Sequence, residues 1–272
     1  MSLLKFDFQQ PPPIPKDAAT LVLLRDGDSG LEVFCVERHS KSGFMAGAVV
    51  FPGGKVDESD SDPAWSTLVM PPREGTRQDL ALAACRESLE EAAILPVTGS
   101  LDHDYALVLR QALASGLDVF RSALKARGLL IDLASLVPFA RWITPEPEVR
   151  RFDAHFFMLR APEGQEGAHD SYETMSSFWA TPTDVLARFE KGEVQLAPPT
   201  HRTLEILSEQ PDVDAALAAA EASSLEPIRP VLIDYDGTMA LTLPGDPDHP
   251  QKERIIPGRT RYVLRGDQWR AE

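Results

Sequence analysis

The chain has 272 residues, and its 42 acidic side chains outnumber its 27 lysines and arginines, which gives a formal net charge of −15. This excess argues against a protein that binds nucleic-acid polymers, because such proteins need a basic face to displace counterions from phosphates. It also argues against a polybasic membrane anchor. With 43% hydrophobic and 25% charged residues, the composition is typical of a folded globular protein and not of a disordered one.

No apolar run approaches the roughly 20 residues that a membrane-spanning helix needs. The N-terminal residues lack the basic start and long apolar stretch of a signal peptide. Cys35 and Cys85 are the only cysteines, too few for a disulfide scaffold or a cysteine zinc site. We therefore expect a cytoplasmic protein without a membrane partner, whose two thiols are reduced and partly buried.

The first half of the chain alternates β-prone segments with turns and then becomes helical. Four prolines in residues 9–16 predict an extended lead-in, because proline excludes helix and removes backbone donors. The further elements predicted in this half are a hairpin of 19–25 with 31–36, a short strand 48–51 ending at Pro52, a surface loop 58–77, a helix 78–95, and a helical stretch 104–127 broken near Gly116.

The second half mixes strands and helices, and it contains no internal repeat. The turn-forming residues 144–148 separate two β-prone segments. The predicted elements are strands at 137–143, 152–159 and 176–180, helices at 182–191 and 200–222 with an interruption near Pro211, and strand-like segments at 230–234, 238–243 and 260–264.

The helix from Gln78 concentrates negative charge on one side. At 100° per residue, Glu87, Glu90 and Glu91 share an arc of roughly 100°, and apolar side chains occupy the opposite side. Carboxylates this close repel one another unless water or a cation lies between them. Hard oxygen ligands in this arrangement suit Mg²⁺ or Mn²⁺. The alternative is an ordinary solvated acidic face.

Two consecutive glycines, Gly53 and Gly54, follow the predicted strand 48–51. Glycine at this position lets the backbone approach a ligand closely, although a glycine pair on its own more often marks a turn.

Gly54 together with Arg86-Glu87-Ser88-Leu89-Glu90-Glu91 resembles the signature of the Nudix hydrolase family, G-x5-E-x7-R-E-U-x-E-E-x-G-U, in which U is a bulky apolar residue. Asp60 stands at the first glutamate position, Ser88 replaces an apolar residue, and Ala93 replaces a glycine. Between Asp60 and Arg86 lie 25 residues instead of 7, an insertion of 18. We expect Ser88 at the edge of the core, and we expect Ala93 to disturb the usual geometry of the helix end.

The resemblance implies an α/β fold, an α/β/α sandwich around a mixed β-sheet. The implied Nudix domain spans residues 18–207, with helical insertions near 60–78 and 100–130. Residues 1–17 then form the lead-in. Residues 208–272 form a C-terminal helix and β-hairpin extension packed on the same domain.

The resemblance also implies the roles of the signature residues. Glu87, Glu90 and Glu91 would hold Mg²⁺ or Mn²⁺, with the Gly53 carbonyl as a further ligand. Arg86 would pair with a neighbouring carboxylate and hold the loop. The implied reaction is attack of water on a diphosphate linkage of a nucleoside diphosphate derivative, since bound metal ions neutralise phosphate charge and lower the pKa of water.

A general base is expected outside the signature, because Nudix proteins often place an acidic residue just before the strand that contains Trp179 here. Glu173, six residues before Trp179, is our candidate, and a solvated loop glutamate is the alternative. Glu146 and Glu148, in a turn flanked by prolines, are weaker candidates.

The segment from Arg38 to Gly54 resembles coenzyme A diphosphatases of this family. The insertion, Trp142-x-Thr144-Pro145 and Arg151-Phe152-Asp153 resemble the acyl-CoA branch more closely. The implied partner is a small nucleotide substrate, CoA or acyl-CoA; ADP-ribose, NADH, a dNTP, or a non-catalytic nucleotide sensor are the alternatives. Basic side chains with phosphate-binding chemistry, together with one aromatic ring, form the predicted substrate-binding set: Arg38, Lys41, Lys55, Arg150, Arg151 and Phe152.

The motif Asp234-Tyr235-Asp236-Gly237-Thr238 matches the nucleophile motif of haloacid dehalogenase-type phosphatases. Only 34 residues follow Thr238, too few for the rest of such a domain, and Asp-Gly is a common hairpin turn. We therefore predict a β-hairpin here. The C-terminal strands also offer an edge through which two copies of the chain could form a homodimer.

Overall fold

A computed structural model of the chain describes residues 3–38, 47–169 and 174–272. The strands are β1 (Lys16–Gly27), β2 (Gly30–Arg38), β3 (Val49–Val50), β4 (Gly53–Lys55), β5 (Val69–Met70), β6 (Ile131–Asp132), β7 (Val137–Ile143), β8 (Phe152–Arg160), β9 (Thr174–Ala180), β10 (Pro227–Ile228), β11 (Val231–Tyr235), β12 (Thr238–Thr242), β13 (Arg261–Arg265) and β14 (Gln268–Ala271). The helices are α1 (Gln78–Ala92), α2 (His103–Ser115), α3 (Leu117–Ala126), α4 (Pro182–Glu190), α5 (Pro198–Ser208) and α6 (Val213–Glu221).

In the described ranges, the main sheet has the strand order β10-β7-β8-β1-β2-β3, with β4 paired to β1 and β9 paired to β2. The pairs β1–β8 and β7–β10 are parallel and the others antiparallel, so the sheet is mixed. The predicted hairpin is confirmed, because Gly27 pairs with Gly30 and only two residues turn between them.

Successive side chains of β1 point to opposite faces of the sheet and enter two separate cores. Leu21 and Leu23 belong to the core under α1, α2 and α3. Val22 and Leu24 belong to the core that includes α4, α5, α6 and the C-terminal strands. This alternation is expected for a strand buried on both faces, and it confirms the predicted α/β/α sandwich.

Strand β1 has two different partners along the same edge. Its C-terminal half pairs with β2, whereas Thr20 in its N-terminal half pairs with Gly53 of β4. The predicted strand is found as β3, which ends before Pro52 as expected, but a second strand, β4, begins immediately after the proline. Proline lacks a donor, but the Pro52 carbonyl still accepts a hydrogen bond from the Leu21 N–H at 2.9 Å, so the pairing continues into the glycines.

The predicted surface loop 58–77 contributes instead to the core. It forms two short 3₁₀ helices and β5, and Trp65 is buried against the ring of Phe120 on α3. Arg121 lies over the Trp65 ring and pairs with Asp62 at 2.7 Å. The two predicted insertions thus pack on each other. Periodicity missed this burial because the apolar residues of the loop follow neither a helical nor a strand spacing.

The predicted helical interruptions are confirmed. Gly116 has φ 128° and separates α2 from α3, and the second interruption, near Pro211, separates α5 from α6. Within the ranges described, none of the helices combines the length and apolar character needed to cross a bilayer.

The C-terminal strands form a four-stranded antiparallel sheet in the order β11-β12-β13-β14, where the sequence predicted three strand-like segments and a hairpin between the first two. The hairpin interpretation of the Asp-Gly motif is confirmed, since Asp236 and Gly237 turn with positive φ and the Gly237 N–H donates to Asp234. Tyr262 and Trp269 are buried in the second core. Strand β14 escaped prediction because it is short and mixes polar with apolar residues.

Both cysteines are fully buried, so the expectation of partly buried thiols is wrong. Burial raises the pKa of Cys35 to about 12, and it also raises the pKa of Cys85. Neither thiol is presented as a nucleophile.

Candidate active site

Helix α1 carries three carboxylates near its C-terminal end, and they differ in exposure. Glu91 is almost completely buried, Glu87 is mostly buried, and the Glu90 side chain is 40% exposed. The opposite side of the helix, with Leu82 and Leu89, packs in the first core as the wheel predicts. The alternative of an ordinary solvated face therefore fails for Glu87 and Glu91.

Neither of the two glycines before the helix has room for a side chain, and the obstacle differs between the two positions. A side chain on Gly54 would place its Cβ 2.5 Å from the Glu87 carboxylate. A side chain on Gly53 would meet the carbonyl oxygen of Ala19 at 2.6 Å, because β4 is packed tightly on β1. The Gly53 N–H also donates to Glu91 at 3.0 Å. The glycine pair thus lets the strand and the acidic helix approach each other closely.

Arg86 ties the loop after β4 to α1. Its guanidinium donates to both oxygens of the buried Asp60, at 3.0 and 3.1 Å, and to the Lys55 carbonyl at 2.8 Å. It also donates to Glu87 at 2.8 Å and to Glu90 at 3.3 Å. Arg86 therefore makes the ion pair with a neighbouring carboxylate that the family resemblance implies.

The charges around Arg86 compete with the cost of burial. Burial raises the pKa of Glu87 to about 7, and the neighbouring Glu90 adds to this rise while Arg86 opposes it. Burial also disfavours the charge on Arg86, but Asp60 and Glu87 outweigh it and hold the pKa of Arg86 above its usual range. Glu87 thus lies in a site that does not fully neutralise a negative charge.

A cavity of about 1160 Å³ opens beside this helix. Its lining includes all four predicted metal-binding residues and five of the predicted substrate-binding residues: Gly53, Glu87, Glu90, Glu91, Arg38, Lys55, Arg150, Arg151 and Phe152. Arg86 is not among the lining residues. The remaining candidates Glu173 and Lys41 lie outside the described residues.

The other walls of the cavity come from residues that the sequence did not assign to a binding site. The second face of the sheet contributes Trp142 and Phe156, and the start of α5 contributes Pro198. The predicted lead-in also takes part, through Leu4 and Ile14. Trp142 belongs to a segment that resembles the acyl-CoA branch, but no motif marks Leu4, Ile14 or Pro198, which reach the cavity only through the tertiary fold.

The basic residues of the cavity differ in their contacts. Arg38 lies 3.7 Å from Glu91. Arg151 donates to the carbonyl oxygens of Thr144 and Pro13, at 3.1 and 3.0 Å, so it joins the β7–β8 turn to the lead-in. The cavity is lined by Arg150, Arg151 and Lys55 alike, and Arg151 in addition holds the wall together through these two contacts.

Comparison with a solved structure identifies the family. A Nudix hydrolase from Alicyclobacillus acidocaldarius is 31% identical to this chain and superposes on it with a TM-score of 0.66. The alignment covers 75% of this chain and 96% of that protein. The chain belongs to the Nudix hydrolase family.

Further comparisons agree with this assignment. The family model described as the NUDT19 Nudix domain matches residues 76–207 of this Nudix hydrolase. A protein named acyl-coenzyme A diphosphatase NUDT19 from Xenopus laevis is 24% identical over 84% of this chain and 73% of its own length. The Homo sapiens protein of the same name is 26% identical over 80% of this chain and 72% of its own length.

Two departures from the Nudix signature are accommodated at the end of α1. Ser88 is fully buried and not at the core edge as expected, and its hydroxyl donates to the Ile94 carbonyl at 2.9 Å. Ala93 keeps the left-handed helix end with φ 53°. An alanine there costs about 1–2 kcal/mol of strain, and burial of its methyl group offsets about 0.8 kcal/mol of that.

A segment after β8 also holds the end of α1. The Gln165 side chain accepts from the Leu95 N–H at 2.8 Å and donates to the Leu95 carbonyl at 3.0 Å. The Ala168 N–H donates to the Ala92 carbonyl at 2.7 Å. A lone glutamine in a polar loop gives no sequence signal for such a role.

The weaker base candidate Glu148 makes contacts that support the fold and lies outside the cavity. It is buried and accepts a hydrogen bond from the Lys5 N–H at 2.6 Å. Burial raises its pKa, although backbone donors oppose the rise. Glu148 does not line the cavity, and it links the N-terminal segment to the β7–β8 turn.

The carboxylates of α1 supply the kind of oxygen donor that a divalent metal ion binds. Oxygen ligands on one face beside a cavity are what Mg²⁺ and Mn²⁺ prefer, and the partly uncompensated charge at Glu87 favours a cation. Among the residues that the structure describes, however, no three carboxylate, imidazole or thiol groups lie close enough together to form a metal-binding group. Arg38 and Arg86 engage the carboxylates instead.

Proposed function

We propose that this Nudix hydrolase cleaves the diphosphate linkage of coenzyme A or an acyl-CoA. The observation that carries the proposal is the composition of the cavity, which places the α1 carboxylates, basic side chains and an apolar wall around one space. A CoA thioester has the matching parts: a diphosphate, a further phosphate, and a long uncharged arm. The names of the relatives from Xenopus laevis and Homo sapiens support the same substrate class.

The basic residues of the cavity bind the anionic part of the substrate in this proposal. Arg38, Lys55 and Arg150 would contact phosphate oxygens, since arginine offers paired donors and lysine a compact charge. Phe152 would lie against an uncharged part of the substrate. Arg151 would keep the wall in place through its contacts with Thr144 and Pro13.

The α1 carboxylates would bind a metal ion in this proposal. Glu87, Glu90 and Glu91, with the Gly53 carbonyl, would hold Mg²⁺ or Mn²⁺. When bound, such an ion neutralises phosphate charge and makes water a better nucleophile at neutral pH. Arg86 acts as a positioning residue, because it orients Glu87 and Glu90 and holds the loop through Asp60.

Glu173 remains our proposed general base. A Glu173→Gln variant should lose the acidic limb of the pH–rate profile and not only lower the rate, because the base must be deprotonated to act. An unchanged profile would assign the base to another carboxylate.

A substrate panel tests the proposed function. Purified protein is incubated with Mg²⁺, Mn²⁺ or EDTA and with CoA, octanoyl-CoA, ADP-ribose, NADH and dNTPs, and kcat/KM is measured for each compound. The proposal predicts the highest value for CoA or octanoyl-CoA and loss of turnover in EDTA. Intact CoA compounds beside rapid cleavage of another substrate would contradict the proposed substrate. Binding without cleavage of any compound would indicate a nucleotide sensor.

A further inference from the structure

Two large apolar side chains are exposed where the cavity meets solvent. Ile14, in the proline-rich lead-in, is 88% exposed, and Val149, in the β7–β8 turn, is 45% exposed. Both line the cavity. Exposed apolar residues usually occur singly, and a group of them beside a cavity is typical of a binding surface.

The two segments that carry these residues are fixed to each other. Arg151 donates to the Pro13 carbonyl at 3.0 Å, and the Lys16 N–H donates to the Arg151 carbonyl at 3.0 Å. On the other side of the turn, the Val149 N–H donates to the Lys5 carbonyl at 3.1 Å. We call the two segments that carry Ile14 and Val149 the rim of the cavity. Hydrogen bonds on both sides of the β7–β8 turn therefore hold the rim in place.

The prolines that flank Ile14 add to this order. Pro13 and Pro15 restrict the backbone to an extended conformation before any ligand arrives. A surface ordered in advance loses less conformational entropy when it binds a ligand, so more of the contact energy remains as affinity.

A short stretch of extended chain separates Ile14 from the part of β1 that lies beside the carboxylates. Ala19 pairs with Gly54, beside Glu87, and Ile14 precedes Ala19 by five residues of extended chain. At about 3.2 Å per residue this separation is roughly 16 Å. The pantetheine arm of CoA has about 13 bonds between phosphorus and sulfur, and at peptide bond lengths it spans about 15 Å when extended.

We propose that Ile14 and Val149 form a contact surface for the acyl chain and make this enzyme selective for acyl-CoA thioesters over free CoA. The inference rests on the proposed function, since it places the diphosphate at the carboxylates and the thioester at the rim. The acyl chain would cover apolar surface that is exposed in the free enzyme. The thioester itself stays intact, because water attacks only the diphosphate.

A double variant, Ile14→Ser with Val149→Ser, tests the surface. Both residues are exposed, so the variant should fold normally. The matched control is Val108→Ser with Leu225→Ser, two apolar residues that are 51% and 50% exposed and do not line the cavity. For each protein, kcat/KM is measured with CoA, butanoyl-CoA, octanoyl-CoA and dodecanoyl-CoA.

We expect kcat/KM of the wild-type enzyme to rise with chain length. The rim variant should lower the value for dodecanoyl-CoA by about tenfold, the effect of losing contact with one or two buried aliphatic side chains, and leave CoA within twofold. The control should match wild type. If wild type shows no preference for longer chains, or the rim variant keeps it, the inference is wrong although the proposed function stands. If wild type cleaves neither CoA nor its thioesters, the proposed function itself is wrong.

Discussion

Arg86 donates two hydrogen bonds to the carboxylate of Asp60, across the 25 residues that separate them in sequence. Asp60 in turn accepts a hydrogen bond from the Asp57 N–H at 2.8 Å, which caps the N-terminus of the first 3₁₀ helix of the insertion. The shorter aspartate thus occupies the position of the signature glutamate and still reaches the arginine. The insertion leaves the loop attached to α1.

Removal of the Asp60 charge should destabilise the protein. Breaking one partner of a buried ion pair costs about 3–5 kcal/mol, and we expect Asp60→Asn to lower the free energy of unfolding by about 2–3 kcal/mol, because Arg86 keeps Glu87 and Glu90 as partners. Urea unfolding measures this change. Asp28→Asn, in the exposed hairpin turn, is the control and should change stability by less than about 0.5 kcal/mol. Equal effects of the two variants would contradict the role of Asp60.

The two glycines should respond differently to alanine. Gly54→Ala forces the Glu87 carboxylate to move, so we expect at least a tenfold loss of kcat with a small change in Tm, because a side chain can rotate away. Gly53→Ala meets the backbone of β1 and should lower stability by about 1–3 kcal/mol. Thermal unfolding and kinetics on both variants check the contrast. Equal losses of stability in both would contradict it.

Glu90 tests the metal assignment with little risk to folding, because its side chain is the most exposed of the three carboxylates. Glu90→Gln should lower kcat by about a hundredfold or more, the scale of losing one electrostatic contact in an active site. The rise in Tm on adding Mg²⁺, which reports binding to the folded state, should also shrink. Glu209→Gln, at the exposed end of α5, is the control. Unchanged activity in Glu90→Gln would refute the metal assignment.

The sequence predicts elements well where local signals are strong. The hairpin around Asp28 has turn formers between two apolar runs, and α1 has an acidic face opposite an apolar one; both are present. The break at Gly116 and the strand Val137–Ile143 are also found where expected. In each case, a residue's immediate neighbours suffice to determine its structure.

Features that depend on distant contacts escaped prediction. Trp65 is buried because α3 covers it, and Gln165 is important because it meets the backbone of Leu95. The cavity wall at Trp142 and Ile14 forms only when the lead-in packs near the β7–β8 turn. The acidic residues of α1 were identified by pattern, and the family resemblance implied an ion pair of Arg86. The burial of Glu87 and Glu91 and the contact of Arg38 with Glu91 were not predicted.

Acid should weaken one contact outside the site. Hydrogen bonds from Arg160 and from the Val213 N–H hold the pKa of Asp26 below its usual value, so its ionised form stabilises the folded state. This contribution is present above the unfolded pKa, about 3.9, and is lost as pH falls through the lower folded value.

The corresponding variant is Asp26→Asn. It should be less stable than wild type by about 0.5–1 kcal/mol at pH 7, since the ion pair is solvent-exposed. Urea unfolding at pH 7, 5 and 3 should give the same difference at the first two values and a smaller one at the third. A difference that grows on acidification would contradict this role of Asp26.

The central claim, that this Nudix hydrolase cleaves the diphosphate of a CoA compound at the α1 carboxylates, is tested most directly by the products. Octanoyl-CoA is incubated with Mg²⁺ and the wild-type enzyme, and the products are identified by mass spectrometry, with Glu90→Gln run in parallel. We predict octanoyl-phosphopantetheine and adenosine 3′,5′-bisphosphate from wild type and almost none from the variant. Intact octanoyl-CoA, or octanoate with free CoA from thioester cleavage, would contradict the claim.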